Sequence, residues 1–215
     1  MNFFFEEYPL SKKTISNLYK EKNYAYCCLV DLLVFLGVND IEDPMSLKSF
    51  FKFTKIEKDT ILLAENHMAD KLLYIAKGAI KNTITVMGKE QVFLLLSEGN
   101  FVTGFDSFMN QSISKSNIIT TEDSVLLEIS YKDFLELLLL YPQLQIAIDN
   151  AKYIFMRFLQ EMAVMSKFES KQRYEFLLSK MPQITNRFQL KYQASFLGMK
   201  PETLSRIRNE IAKKQ

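Results

Sequence analysis

Apolar positions in the first fifty residues follow a helical rather than an alternating pattern. Residues 24–36 are apolar at almost every position, which predicts a buried helix that ends at Gly37. Asp43 and Pro44 then resemble a helix start, because proline suits the first helical position. The helix predicted from this start has one apolar face, made by Leu47, Phe50 and Phe51. The N-terminal part of the chain is therefore predicted to be helical.

Between Lys55 and Ser130 the pattern changes to short runs of isoleucine, valine, leucine, phenylalanine and threonine, separated by turn residues. These runs predict six strands, at residues 60–63, 71–76, 80–87, 91–96, 118–120 and 125–129. Gly88 and Lys89 lie between two of the runs and predict a hairpin turn. Many short strands with regular turns are typical of an antiparallel β roll that resembles a jelly roll, so the predicted fold class is α+β.

After Tyr131 the helical pattern returns, with a short helix predicted for residues 131–140 and a long helix for residues 142–165. Apolar side chains recur along the long helix as a heptad seam. The seam residues are Leu144, Ile148, Ala151, Phe155, Phe158, Met162 and Met165. Additional apolar surface comes from Ile146, Ile154 and Leu159. A helix with two apolar faces is expected to pack on its own roll and on a second copy, so a homodimer is predicted, with the seam in its interface.

The chain from Leu190 onwards has the pattern of two short helices joined by a tight turn. Gly198 suits the left-handed end of the first helix, and Pro201 suits the first position of the second. The residues expected to face inward are Ala194, Leu204 and Ile207. This pattern predicts a helix-turn-helix, whose second helix is able to enter a DNA major groove. A β-hairpin wing is expected before the motif, around residues 184–191.

The exposed face of the predicted second helix carries side chains that suit nucleic-acid contact. They are Glu202, Thr203, Ser205, Arg206, Arg208 and Asn209. An arginine pairs with guanine through two hydrogen bonds, and a glutamate accepts from the amino group of cytosine. The alternative interpretation of these charges is a solvated face on an ordinary terminal helix.

The charge of the chain is unevenly distributed, although its net value is only +2. From Ser166 onwards there are eleven Lys and Arg residues against four Glu residues. A basic terminal region on an acidic body predicts that one end of the protein meets nucleic acid. No run of eighteen apolar residues and no signal-peptide pattern are present, so we expect no membrane association and a cytoplasmic location.

Few residues suit metal binding or catalysis. Cys27 and Cys28 are adjacent within an apolar segment, so we interpret them as buried core thiols rather than metal ligands. The one histidine, His67, lies in a predicted turn and is expected at the surface. No metal site and no cofactor are predicted. With one histidine, six glycines and no glycine-rich loop, the chain is not predicted to be an enzyme.

Residues 194–206 contain a glycine turn followed by a glutamate and then by a serine and an arginine, and residues 75–80 form a strand-glycine-strand pattern. In this order of elements, these segments resemble the Crp/Fnr family of bacterial transcription regulators. The resemblance covers about residues 45–215 and implies a β-roll sensor, a long dimerisation helix and a winged-helix-type DNA-binding domain. It also implies that Glu202, Ser205 and Arg206 read bases.

The segment that corresponds to the phosphate-binding cassette of this family departs from the family pattern. The cassette has a glycine-glutamate pair, in which the glutamate binds ribose, and an arginine that neutralises the cyclic phosphate. Here Gly104 is followed by Phe105 and Asp106, and the later part contains Lys115 and Ser116. No arginine occurs in residues 1–150. Because a lysine lacks the bidentate fork of an arginine, cyclic AMP is not expected as the effector. A different small-molecule effector, or none, is expected.

The predicted organisation is a helical N-terminus with the roll at residues 1–140, a dimerisation helix at 141–165, and a DNA-binding domain at 166–215. The expected partners are a second copy, near-palindromic double-stranded DNA with half-sites about 34 Å apart, and RNA polymerase. Candidate contacts to the DNA backbone are Lys191, Lys200, Thr203, Arg208 and Lys213. The alternative function is a β-roll module for ligand or protein interaction that no longer reads DNA specifically.

Overall fold

Two four-stranded antiparallel sheets packed face to face form the centre of the molecule. The computed structural model describes residues 21–39 and 44–213. The strands are β1 (Lys52–Ile56), β2 (Ile61–Leu63), β3 (Lys71–Lys77), β4 (Ala79–Val86), β5 (Lys89–Ser97), β6 (Phe101–Val102), β7 (Ser116–Thr120) and β8 (Ser124–Ser130). One sheet has the order β1-β8-β3-β6 and the other the order β2-β7-β4-β5. The antiparallel roll predicted from the sequence is thereby confirmed.

Helices lie before the roll, within it and after it. They are α1 (Glu21–Phe35), a 3₁₀ helix (Pro44–Ser49), α2 (Phe105–Asn110), α3 (Tyr131–Leu140), α4 (Leu144–Met165), α5 (Ser170–Lys180), α6 (Pro182–Arg187), α7 (Leu190–Phe196) and α8 (Pro201–Ala212). The predicted helices at 24–36, 131–140 and 142–165 correspond to α1, α3 and α4. The predicted helical character of residues 1–20 lies outside the described residues. No helix in the described part is long and apolar enough to cross a membrane.

The roll is apolar inside and is covered on one outer face by helices. Its interior contains Leu73, Ile75, Ile80, Val102, Ile118 and Leu126. Tyr74 and Leu127, which point to the opposite side of the same sheet, belong to the core shared with α1 and α3. Burial on both faces explains why these strands read as continuous apolar runs rather than as an alternating pattern.

The β4–β5 hairpin closes through Met87 and Gly88, with φ angles of +51° and +73°. Val86 pairs with Lys89, so the loop has two residues, both in the left-handed region that a type I′ turn requires. The hairpin predicted from Gly88 and Lys89 is confirmed, but its turn lies one residue earlier.

Three local predictions differ from the structure. β1 and β6 were not predicted, since β6 has two residues and β1 carries lysines at two of its five positions. The helix predicted after Pro44 is a 3₁₀ helix, in which Leu47 is buried. The wing expected at residues 184–191 is wrong. Pro182 opens α6 there, and its last residue, Arg187, is separated from α7 by only two residues.

A second apolar core joins the C-terminal helices to the roll. It contains Val92 and Leu95 of β5, Phe158 and Met165 of α4, and residues from α5, α6, α7 and α8. The C-terminal helices therefore pack directly on the β4–β5 hairpin of the same chain.

Candidate nucleic-acid interface

The last two helices form a helix-turn-helix whose turn is held by backbone and side-chain hydrogen bonds. Gly198 has φ of +63°, which an L side chain rarely adopts. The Met199 amide donates to the Ala194 carbonyl at 2.9 Å, closing the end of α7. Arg173 of α5 donates from Nη1 to the Leu197 carbonyl at 2.6 Å. These bonds fix the direction in which α8 leaves the turn.

The inner faces of both helices are buried. Ala194, Leu204 and Ile207, which the sequence places inward, are exposed by 3% or less. Gln193 is also fully buried, and its Nε2 donates to the carbonyls of Phe188 at 2.6 Å and Thr185 at 3.1 Å. A buried amide with two acceptors locks α7 against the end of α6.

The outer face of α8 is open. Glu202 and Arg206 are exposed, and Ser205 is half-exposed. The Arg206 side chain is 74% exposed, and its Nε lies 4.0 Å from Glu210, a weak surface ion pair that leaves the guanidinium available. An open groove of about 640 Å³ follows this face. Its lining includes Leu190, Pro201, Glu202, Ser205, Arg206, Asn209, Glu210 and Lys213. The structure thus brings the three predicted base-reading residues together on one accessible surface.

Of the candidate DNA-backbone residues, Lys213 lines this groove. Lys191, Lys200 and Lys213 are exposed, whereas Thr203 and Arg208 are half-exposed. Lys200 immediately precedes α8, and its side chain does not cap that helix. The N-cap side chain therefore leaves the first backbone amides of α8 free to donate. Free amides at the start of a helix suit an approach to phosphate.

The seam residues predicted for the dimer interface are buried to different degrees within the single chain. Leu144, Phe158 and Met165 are buried, and the other four seam residues, Ile148, Ala151, Phe155 and Met162, are half-buried. Large apolar side chains that are exposed on α4 lie outside the seam. They are Ile146, Tyr153, Met156 and Val164, which we call the outer stripe of α4.

The cassette segment forms α2 and the loop that follows it. A Cβ atom on Gly104 would lie 2.9 Å from Leu63 Cδ2 and 3.0 Å from Ser114 Oγ, so a larger residue here would have to displace these two side chains. Phe105 is 51% exposed, and its ring centroid lies 6.3 Å from that of Phe155 on α4. The residue in the glutamate position therefore contacts the long helix.

The polar groups of the cassette are used locally or are exposed. Asn110 Nδ2 donates to Asp106 Oδ1 at 2.7 Å, so Asp106 is bonded within its own helix. Ser114 Oγ donates to the Ser116 carbonyl at 3.0 Å and accepts from its amide at 3.1 Å. Lys115 is exposed. None of these three described groups forms the carboxylate and guanidinium pair of the family pattern.

One charged cluster between the roll and the C-terminal helices was missed from the sequence. Arg187 at the end of α6 forms ion pairs with both Glu98 and Glu122 of the roll. Its Nη2 donates to Glu98 Oε1 at 3.0 Å, and the same oxygen accepts from the Gly78 amide at 2.8 Å. These hydrogen bonds raise the pKa of Arg187 above its ordinary value. Arg187 therefore ties α6 to two turns of the roll.

Two further contacts join α7 to the β4–β5 hairpin. The Val92 amide donates to Ser195 Oγ at 2.9 Å, and Lys81 Nζ lies 4.6 Å from the centroid of the Tyr192 ring. β5 is an edge strand, so the serine satisfies an amide that no neighbouring strand reaches. No local sequence signal identifies these two contacts, because the residues in each are more than one hundred positions apart.

Other sequence predictions concern single residues. His67 is exposed, as predicted, and its Nδ1 lies 3.2 Å from the Glu65 carbonyl. Cys28 is buried, as predicted, and burial is the main cause that raises the pKa of its thiol. Cys27 is only partly buried.

Comparison with known proteins agrees with this architecture. Residues 53–141 match the cyclic nucleotide-binding domain family. CooA from Carboxydothermus hydrogenoformans is 19% identical, with a TM-score of 0.64 over 85% of this chain and 84% of its own. FixK2 from Bradyrhizobium japonicum is 12% identical, with a TM-score of 0.66 over 76% of this chain and 85% of its own.

A third similar structure is CLP from Xanthomonas campestris, a global regulator described as responsive to c-di-GMP. It is 17% identical, with a TM-score of 0.63 over 79% of this chain and 90% of its own. No curated protein matches the sequence. Residues 53–141 therefore match the cyclic nucleotide-binding domain family, and the chain has the fold of these Crp/Fnr-type neighbours, in agreement with the resemblance drawn from the sequence.

Proposed function

We propose that this chain is a sequence-specific, DNA-binding transcription regulator that acts as a homodimer and is not an enzyme. The observation that carries the proposal is the two-sided structure of α8. On one side of α8, Leu204 and Ile207 are buried in the core. On its other side, Glu202, Ser205 and Arg206 line an open groove. A helix held in this way by a glycine turn is suited to the major groove.

The chemistry of the groove assigns a role to each side chain. Arg206 pairs with guanine through O6 and N7, and Glu202 accepts from a cytosine amino group. Ser205 contacts a base edge or a phosphate. Phosphate contacts from Lys191, Lys200, Thr203, Arg208 and Lys213 set the position of the protein but carry no direct sequence information.

In this proposal α4 provides the dimer contact. The seam residues Phe155 and Met162 remain half-exposed, and the outer stripe, which includes Tyr153 and Met156, adds exposed apolar surface on another side of α4. Exposed apolar side chains repeated along a helix are typical of an interaction surface. The proposal requires a twofold axis beside α4 that brings two copies of α8 to one side of the dimer, so that both can contact a near-palindromic site.

The proposal assigns no cyclic AMP to the roll. Phe105 contacts Phe155 and Asp106 bonds to Asn110, so the cassette offers neither the ribose-binding carboxylate nor a guanidinium for the phosphate. Calorimetry of the purified protein with cyclic AMP is expected to show no tight, saturable binding. Such binding contradicts this part of the proposal and leaves the DNA-binding part intact.

The function is tested by selecting duplexes from a randomised pool and then measuring binding to the recovered site at matched salt. Arg206→Ala is expected to weaken binding by about 1–3 kcal/mol and to relax the preference at one base pair. Lys132→Ala removes a similarly exposed charge from α3, far from the groove, and is expected to leave binding unchanged.

The two candidate functions give different results in this experiment. A recovered palindrome whose binding Arg206→Ala weakens supports the regulator. Only sequence-independent, salt-sensitive binding, equal in the wild type and Arg206→Ala, supports the roll as an interaction module instead.

A further inference from the structure

A cavity of about 470 Å³ lies at the end of the roll, apart from both the cassette and the α8 groove. Its walls come from α1, the 3₁₀ helix, β1, the beginning of β3, and the junction of β8 with α3. The size falls within the range typical of small-molecule sites.

The walls of the cavity carry an excess of positive charge. Four lysines line it, Lys22, Lys48, Lys52 and Lys71, against the two carboxylates of Glu128 and Asp133. The surplus of two positive charges matches a dianion. These lysines come from four different elements, so the fold rather than a local charge run brings them together.

Both carboxylates already have partners. Lys71 Nζ lies 3.0 Å from Glu128 Oε2, and hydrogen bonding to this buried carboxylate raises the pKa of Lys71. Ser130 Oγ donates to Asp133 Oδ2 at 2.7 Å and accepts from the Asp133 amide, which caps α3. Glu128 is therefore neutralised by Lys71, whereas Asp133 is held by neutral partners and keeps its charge, so the cavity as a whole retains two surplus positive charges.

Three of the four ammonium groups, those of Lys22, Lys48 and Lys52, have no ion pair among the described residues. In the β1–β8 ladder Lys52 lies opposite Glu128, so the two side chains lie on the same side of the sheet. Lys48 Nζ donates to Asn23 Oδ1 at 3.1 Å and lies 5.6 Å from the Tyr26 ring centroid.

Most of the remaining wall is aromatic, and contacts within the fold hold it in place. Tyr26 donates its hydroxyl to the Phe51 carbonyl at 2.5 Å, which ties α1 to the start of β1. Phe50 packs edge-to-face with Tyr141, at a centroid distance of 6.4 Å. A ligand would therefore meet a preformed surface, which reduces the ordering cost of binding.

We propose that this cavity binds a small organic phosphate that carries a flat ring, with Lys22 and Lys52 at the phosphate and the partly exposed Phe50 beside the ring. Lysines bind phosphate as point charges, and aromatic walls bury a planar group. The site lies outside the cassette and does not depend on DNA recognition, so its test is independent of the test of the proposed function.

Isothermal calorimetry of the full-length protein with phenyl phosphate tests the site. We expect one molecule to bind per chain, with inorganic phosphate binding at least about tenfold more weakly because it lacks the ring. Lys22→Ala and Lys52→Ala are each expected to weaken phenyl phosphate about tenfold. Lys115→Ala, which removes an exposed lysine from the cassette, is the matched control and is expected to bind as the wild type does.

Three results overturn the proposal. The first is the absence of saturable binding up to about 10 mM phenyl phosphate. The second is unchanged affinity in both Lys22→Ala and Lys52→Ala. The third is loss of binding in Lys115→Ala, which places the ligand in the cassette instead. Thermal unfolding of each variant without ligand verifies that the fold is intact.

Discussion

At the scale of single residues, the two glycines that flank β4 have different reasons to be glycine. Gly78 and Gly88 both have positive φ, at +113° and +73°. A Cβ atom on Gly78 would lie 2.2 Å from Ser124 Oγ and 2.8 Å from Ser124 Cα, whereas one on Gly88 would meet nothing within 4 Å. Backbone conformation alone therefore requires the second glycine, and both conformation and space require the first.

This contrast predicts unequal losses on substitution by alanine. Gly88→Ala is expected to lower the free energy of unfolding by about 1 kcal/mol, the cost of a left-handed alanine. Gly78→Ala is expected to cost at least about 2 kcal/mol more, because the backbone at Ser124 must move. Urea denaturation measures both losses. Equal losses contradict the packing argument.

Glu98 gives a prediction about pH. Burial opposes its ionisation, but hydrogen bonds from Arg187 and from the Gly78 amide outweigh burial and lower the pKa of its carboxyl group. A pKa that is lower in the folded state stabilises the fold above the unfolded value, about 4.3. That stabilisation is lost as the pH falls through the folded pKa. Glu98→Gln is expected to weaken the fold at pH 7 and to flatten its acid dependence, as measured by urea denaturation between neutral pH and pH 3.

At the scale of elements, the C-terminal helices cover part of the roll as well as forming the helix-turn-helix. α7 covers the outer edge of β5 through the bond between Ser195 and Val92, and Arg187 joins α6 to two turns of the roll. An uncovered edge strand invites pairing with other chains, so this docking also protects the roll. In this arrangement the orientation of α8 follows from contacts with the roll.

The docking predicts a local effect when Arg187 is removed. Arg187→Ala leaves Glu98 and Glu122 close together without their cation, and we expect a loss of about 1–2 kcal/mol in stability. Hydrogen exchange at the Val92 amide is expected to become faster, because α7 is held less firmly on β5. Arg157→Ala, on the exposed side of α4, is the control. Unchanged exchange at Val92 contradicts a role for Arg187 in the docking.

The elements predicted correctly are those whose signals are local. The apolar repeat of α4 and the glycine turn before α8 are both set by residues that lie close together in the sequence. The contacts that were missed join residues far apart in sequence, as Arg187 and Glu98 show. A periodic apolar pattern also does not show whether its side chains pack on the same chain or on a second copy. Phe158 and Met165 of the seam are buried by the chain's own core, whereas Tyr153 outside the seam is exposed.

At the scale of the whole molecule, the proposed function depends on the separation of two copies of α8. One copy contacts DNA through a single α8, and one helix reads only a few base pairs. High affinity and specificity therefore require the α8 of a second copy. The exposed outer stripe of α4 identifies the surface to change without unfolding the monomer. Tyr153→Glu places a charge on a side chain that is 63% exposed, so it is expected to prevent pairing while preserving the fold.

The spacing of the half-sites then separates a rigid dimer from two independent domains. Inserting about 5 base pairs between the half-sites rotates one by half a turn of the duplex, so the wild type is expected to lose most of its affinity. An insertion of about 10 base pairs returns both half-sites to the same face of the duplex but leaves them too far apart. It is therefore expected to restore little of the affinity. The Tyr153→Glu variant, measured as a monomer by light scattering, is expected to bind all three duplexes weakly and equally. If the wild type also ignores the insertion, α4 does not fix the two DNA-binding domains relative to each other, because only a rigid connection between them makes half-site spacing matter.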